Sequence, residues 1–262
     1  MSNNKIISAV IACYNDGQAI PIMHDRLTNI FNKIGCDYEI IFVNDGSPDN
    51  TESVLRKICN IDTKTTAIMH SRNFSSQNAF ISGISQSIGD AVVLLDGDLQ
   101  DPPEVLPTFF SKMLEGYDVV YAIRKSRKEG LFKKMCYFTF YRILKIISET
   151  KIPLDSGDFS VMSRTVVNEL KLMPERNRFI RGMRAWLGYK QIGVEYDRDS
   201  RFAGKSKYNF RMLFKLAYDG LISSSSKPLR FVLTFGVVIT ITSFCAIVAL
   251  IYLKLLRQLP EH

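Results

Sequence analysis

Gly89-Asp90-Ala91-Val92-Val93-Leu94-Leu95-Asp96-Gly97-Asp98-Leu99-Gln100-Asp101-Pro102-Pro103-Glu104 decides how the rest of this chain is read. A short apolar run delivers two carboxylates, one residue apart, at its C-terminal tip. A carboxamide, a third carboxylate and a Pro-Pro stop follow at once. Strand residues alternate faces, so a strand continued through the pair sends Asp96 and Asp98 the same way past the sheet edge. Ligands of open α/β sheets bind at that edge. Two carboxylates converging there repel unless positive charge lies between them. A hard divalent cation carrying substrate phosphates is the natural occupant. Bare carboxylates would only repel a phosphorylated substrate.

On either side of this stretch, strand and helix patterns alternate. Apolar runs at 6–13, 38–43, 65–70, 91–95 and 119–123 read as strands. Helical spacing of apolar residues covers 20–34, 76–88 and 104–115, and Asn50 or Thr51 can cap a further helix running to 59. Gly35, Gly89 and Gly116 act as stops. This alternation predicts an α/β fold, Rossmann-like, with a largely parallel sheet and right-handed crossovers. Three loops should then meet at the strand tips. Ala12-Cys13-Tyr14-Asn15-Asp16 offers a ring to pack on a base, and Asp45-Gly46-Ser47-Pro48-Asp49 offers a carboxylate for base or ribose hydrogen bonds. The third is the Asp96/Asp98 pair. Asp45 and Asp49 also suit plain turn and capping chemistry, which the company of Asp96 at the same edge outweighs.

The chain has 262 residues, 46% of them hydrophobic and 23% charged, which suits one sizeable domain plus an appendage. Residues 231–253 form a stretch of 23 positions with no charge. About 20 such residues cross a hydrocarbon core as a helix. No signal-peptide pattern precedes the first strand, so the catalytic part is expected in the cytosol. Lys227 and Arg230 before the span agree with that orientation, although Lys254 and Arg257 follow it. The net charge of +8 admits nucleic acid or anionic lipid headgroups as partners. The span favours an anionic membrane surface and no nucleic acid. Apolar residues opposite lysines and arginines in 131–148, and the pattern at 209–222, suit helices lying in the membrane interface. Trp186 is expected in the core. The five cysteines are scattered, the three histidines form no cluster, and no GxGxxG follows the first strand. Zinc, a disulfide frame and nicotinamide chemistry are thereby disfavoured. The expected division is 1–130 for the strand–helix core, 131–230 for a part with juxtamembrane amphipathic helices and 231–256 for the membrane helix.

These motifs, taken in order, resemble family 2 glycosyltransferases of the GT-A fold, of the type that glycosylates polyprenyl phosphates. The likeness rests on Tyr14-Asn15, Asp45-Gly46-Ser47-Pro48-Asp49, Arg72-Asn73-Phe74, the Asp96 to Glu104 run, Arg124 with Arg127, Ser156-Gly157-Asp158-Phe159 and Arg201-Phe202-Ala203-Gly204-Lys205-Ser206-Lys207-Tyr208. It runs from residue 5 to about 230. The resemblance implies that Tyr14 and Asp45 hold the base and ribose, with Ala12, Asp16 and Arg72 also on the donor. It implies that Asp96, Asp98 and Gln100 hold Mg²⁺ or Mn²⁺ on the diphosphate. Arg201 and Lys205 would close over the phosphates, and Arg124 and Arg127 would grip the lipid phosphate. Asp98 and Asp158 would stand at the reacting centre, Asp158 near the anomeric carbon.

The expected reaction is inverting transfer of a sugar, glucose from UDP-glucose, to undecaprenyl or another polyprenyl phosphate at the inner (cell) membrane. Alternatives are a GDP-mannose-dependent enzyme, a processive polysaccharide synthase and an inactive nucleotide-sugar-binding protein. Whether the chain forms a homo-oligomer is left open.

Overall fold

In the computed structural model, residues 5–125, 156–175, 178–198 and 227–257 are described. The strands are β1 (Ile6–Cys13), β2 (Asp37–Asn44), β3 (Thr65–Met69), β4 (Ala91–Asp96), β5 (Val119–Arg124), β6 (Ser156–Ser163) and β7 (Gln191–Tyr196). They form one seven-stranded sheet in the order β3-β2-β1-β4-β6-β5-β7. Every pairing is parallel except those of β6, which runs antiparallel to β4 and to β5. The chain winds outward from β1 through β2 and β3, then returns to lay β4 on the other side of β1. The order therefore reverses between β1 and β4, and ligands of such sheets bind outside that crevice.

Alternation along the strands splits the core into two layers. Ile7, Ala9 and Ile11 face one side, with Met23 and Leu27 of α1 (Ile20–Ile34), Leu55 of α2 (Thr51–Ile61) and Phe109 of α4 (Leu106–Leu114). Val10 and Ala12 face the other, with Phe80 and Ile84 of α3 (Ser76–Gln86), Val166 and Leu170 of α5 (Arg164–Leu172) and Met183 of α6 (Ile180–Trp186). Burying each such large apolar side chain contributes about 1.5–3 kcal/mol. Helix α1 shows how locally the pattern is set. Pro21 stands in its first turn, and Gly35, at φ 70°, closes it through bonds to the Phe31 and Asn32 carbonyls. Cys13, Cys36, Cys59 and Cys245 are free thiols.

Strand β6 reaches the sheet from beyond residue 130. The 131–230 segment thus supplies two strands, β6 and β7, to the same sheet as the N-terminal part. The β4/β6 ladder ends at Leu94 opposite Ser160. Continued by two residues, that register would set Asp96 opposite Asp158.

Gly46, at φ 66°, makes the turn after β2 possible. A Cβ there would stand 2.4 Å from the Arg72 carbonyl carbon and 2.8 Å from the Asn73 nitrogen. Backbone cannot yield as a flexible side chain can, so Gly46→Ala is expected to destabilise by at least about 2 kcal/mol. A thermal melt within 2 °C of wild type, at roughly 2–4 °C per kcal/mol, would contradict this packing.

Helix α7 (Lys227–Arg257) spans 31 residues. Its Phe231–Lys254 stretch has mean hydropathy 2.4, and none of it is buried against the rest of the protein. It is long and apolar enough to cross a membrane. The interfacial helices expected at 131–148 and 209–222 lie outside the described residues.

Candidate active site

The tips of β1, β2 and β4 share one sheet edge. Asp96 is the last residue of β4, and the chain then turns rather than running on as a strand. The Gly97 N–H donates to the Ala12 carbonyl at 2.9 Å. A Cβ on Gly97 would press within 3.0 Å of Cys13 Sγ and 3.2 Å of Asp16 Oδ2, so glycine lets the turn lie on the β1 tip. Leu99 adopts φ 60°. Asp98 is buried and accepts the Gln100 N–H at 3.2 Å. Asp98 is therefore placed by a turn with a left-handed residue, which corrects the expectation from strand alternation. Asp101 is also buried; it accepts from the Tyr196 hydroxyl and from Arg198 Nε at 3.2 Å. Glu104 pairs through both oxygens with Arg26 on α1 and ties down the end of the loop.

Burial, and then the charges of Asp101, Asp98 and Asp158, push the Asp96 carboxyl up to about 8, with Arg198 opposing them. Four acids from β4, its following loop and β6 thus converge. Burial works against the ionised form of Asp158, but Arg181 overcomes it and holds the carboxyl below the usual range. Arg181 Nε donates to Asp158 Oδ1 at 2.8 Å, while Arg181 Nη2 and Gln77 Nε2 donate to Oδ2 at 2.9 and 3.0 Å. Gln77 also accepts the Ile180 N–H at 2.9 Å, which locks α6 onto α3 beside the acid. Arg184 is wholly buried, donates to the Gly157 carbonyl at 3.3 Å and stacks 5.1 Å from the Tyr121 ring centre. Burial lowers its guanidinium pKa to about 10. Burial also disfavours charge on Arg124, but Asp101 and Tyr196 more than offset that. Arg124 Nε and Arg184 Nε and Nη1 are buried with no hydrogen-bond partner among the described residues.

The nucleoside side of the edge is built from β1 and β2. Tyr14, half-buried, donates its N–H to Asp16 Oδ2 at 2.8 Å. Asn15, at φ 56°, donates its N–H to Ser47 Oγ at 3.0 Å. Asp45 is buried and accepts on Oδ1 from both His70 Nδ1 and the Phe74 N–H, each at 2.8 Å. Asp49 instead closes the turn that leads into α2, accepting from the Thr51 N–H at 3.1 Å and the Gly17 N–H at 3.2 Å. Turn chemistry accounts for Asp49, whereas Asp45 is held by residues 25 and 29 positions away. Arg72 is exposed, with its guanidinium 4.3 Å over the Phe74 ring.

The sequence profile of glycosyl transferase family 2 matches residues 8–171, from β1 to the end of α5. The chain belongs to glycosyl transferase family 2. It is 41% identical over 256 residues to the uncharacterized glycosyltransferase YkcC of Bacillus subtilis, covering 97% of this chain and 79% of that one. It is 39% identical over 239 residues to the prophage bactoprenol glucosyl transferase homolog of Escherichia coli, covering 91% and 78%. The fold is similar to glucosyl-3-phosphoglycerate synthase from Mycobacterium tuberculosis, with TM-score 0.59, 19% identity and coverage of 85% and 80%. The protein is thus a glycosyltransferase with a GT-A-like fold, and its apolar α7 and bactoprenol-related relatives associate it with a membrane.

In this glycosyltransferase Ala12, Tyr14, Asp16, Asp45, Asp96, Asp98 and Gln100 gather at the β1/β2/β4 tips, with Arg72 in the adjoining loop, while Asp158 and Arg124 stand beside them on β6 and β5. Arg127, Arg201 and Lys205 lie outside the described residues. Sequence reading assigned no role to Gln77, Asp101, Arg181, Arg184, Tyr196 or Arg198. The three-residue spacing of Arg181 and Arg184 on one helix was the available signal. Trp186 is 67% exposed and corrects the expectation of a core residue, since α6 turns Ile180 and Met183 inward instead.

Proposed function

We propose that this glycosyltransferase moves a glucosyl unit from UDP-glucose to the phosphate of a polyprenyl lipid, at the cytosolic face of the bacterial inner membrane. The observation that carries the reading is the convergence of Asp96, Asp98, Asp101 and Asp158 at the strand tips, facing the arginines of β5, α6 and the segment after β7. Relatives named for bactoprenol glucosyl transfer support the acceptor. The mycobacterial fold neighbour was solved with Mn²⁺ and UDP-glucose, which supports the donor and a divalent ion.

Asp96, Asp98 and Gln100 are assigned to hold Mg²⁺ or Mn²⁺. Oxygen donors suit a hard ion, and two carboxylates leave most of its shell to water and substrate phosphate. Among the described residues no three acids, imidazoles or thiolates form a ready-made cage. The bound ion would neutralise charge building on the departing nucleoside diphosphate. Tyr14 and Asp45, with Ala12 and Asp16, are assigned to the nucleoside, and Arg72, Arg201 and Lys205 to the phosphates. Arg124 and Arg127 are assigned to the acceptor phosphate, which a forked guanidinium can pair through two parallel hydrogen bonds. A phosphate monoester has a second pKa of about 6, so its oxygen attacks without a strong base. Asp158, depressed by Arg181, is a poor base and instead orients the sugar. A single in-line displacement then inverts the anomeric centre. Residues 1–130 form the donor side, 131–230 the acceptor side and 231–256 the membrane anchor. The net charge of +8 favours anionic headgroups.

The test uses the full chain in detergent with radiolabelled UDP-glucose, Mn²⁺ and undecaprenyl phosphate. Label is expected to pass into the organic phase as a monoglucosylated lipid. Label confined to water, or transfer only from GDP-mannose, would contradict the reading.

A further inference from the structure

Among the described residues, His70 hydrogen-bonds through its side chain to one residue assigned above, Asp45. Its N–H donates to the Asn44 carbonyl at 2.9 Å, which fixes it beside the end of β2. Its ring bridges two side chains, Nδ1 to Asp45 Oδ1 at 2.8 Å and Nε2 to Ser82 Oγ at 2.9 Å. An ionised carboxylate only accepts, so Nδ1 carries the proton, and in the neutral ring Nε2 accepts from the Ser82 hydroxyl. The Phe74 ring stands edge-on to the imidazole at 5.5 Å and 89°. The side chains of His70 and Asp45 are only 12% and 3% exposed.

This order of acid, imidazole and hydroxyl is that of an acyl-transfer triad. Ser82, however, lies inside helix α3, where the neighbouring N–H groups bond along the helix and cannot form an oxyanion hole. The acid is also the one at the sheet edge. The relay therefore runs the other way, from Ser82 through His70 to Asp45. Both Asp45 bonds land on Oδ1, and Oδ2 has no donor among the described residues.

We propose that His70 is a positioning residue for nucleotide recognition. It fixes Asp45 through Oδ1, so that Oδ2 is presented to an N–H or hydroxyl of the donor's nucleoside. Ser82 fixes the ring in turn. The inference rests on the donor reading of Asp45 given above. The gain is pre-organisation, so binding responds more than the chemical step.

The test compares full-chain His70→Ala, His70→Asn and Asp45→Asn with wild type, using UDP-glucose with Mn²⁺ in the transfer assay and UDP with Mn²⁺ in calorimetry. An asparagine amide can reproduce the Nδ1–H donor. His70→Ala is expected to raise KM and the UDP dissociation constant about tenfold, with kcat changed less than about threefold. His70→Asn should return both to within about threefold of wild type, whatever the alanine variant does to folding. If Asp45→Asn weakens UDP binding while His70→Ala does not, the donor reading stands and the role of His70 is overturned. Equal kcat losses in both His70 variants without a change in KM would also overturn it. If Asp45→Asn leaves UDP binding unchanged, the reading of Asp45 fails first, and the inference fails with it.

Discussion

Asp98→Ala is expected to lower kcat at least about a thousandfold, the scale seen when transition-state charge stabilisation is lost. Asp98 is buried at the sheet edge, and the Gly97 N–H on the Ala12 carbonyl holds the turn that carries it. The substitution frees the Gln100 N–H but leaves that backbone bond in place, so the fold is expected to persist. What disappears is one of the two acids assigned to the ion on the donor diphosphate. Asp96 alone would then hold the ion, so the Mn²⁺ concentration for half-maximal residual activity should rise as well. Activity surviving with the wild-type metal response would remove Asp98 from the metal assignment.

Arg181→Ala should have the largest effect on stability. Asp158 is 9% exposed, and its carboxylate meets Arg181 through two hydrogen bonds. Removing one partner of a buried pair costs about 3–5 kcal/mol, because the remaining charge is left uncompensated. Gln77 and the nearby charge of Arg184 remain, so the lower half of that range is expected, a melting decrease of about 10 °C. The pH dependence has a definite sign. The folded-state pKa of Asp158 is depressed, so its stabilisation is present above the unfolded value of about 3.9 and is lost as pH falls through the folded value. In the variant, burial without Arg181 favours the protonated acid. The gap between wild type and variant should therefore be widest at neutral pH and close as pH falls toward 4. Thermal melts from pH 4 to 8 measure it, and a gap that does not change with pH would show that the ion pair is not its source.

The residues that act locally were legible in the sequence. Alternation and turn residues placed β1 to β5 within about a residue of where they lie, because boundaries such as Asn44-Asp45-Gly46 after β2 and Gly89-Asp90 before β4 are set by local turn residues. Helix α3 stops two residues earlier than the Ile88 boundary, at Gln86, and the 104–115 helix begins as a 3-10 turn before Leu106. The rest depends on contacts distant in sequence. β6 was missed because Ser156-Gly157-Asp158 has weak strand propensity, and its pairing with β4 joins segments about 70 residues apart. The left-handed Leu99 defeats any reading that continues β4 through Asp98, since few residues with a side chain adopt that conformation. A fully buried arginine such as Arg184 runs against ordinary burial preference and makes sense only once Asp158 is beside it. Likewise, nothing near Asp45 in sequence announces His70, which meets it only because β3 lies beside β2.

The central claim is that Asp96 and Asp98 hold a divalent ion whose shell the donor diphosphate completes. Electron paramagnetic resonance of Mn²⁺ titrated into the 262-residue chain, with and without UDP, tests it most directly. The account predicts about one tightly bound Mn²⁺ per chain when UDP is present, much weaker binding without it, and loss of that ion in Asp96→Asn and Asp98→Asn. Mn²⁺ bound equally well by both variants in the presence of UDP would contradict it.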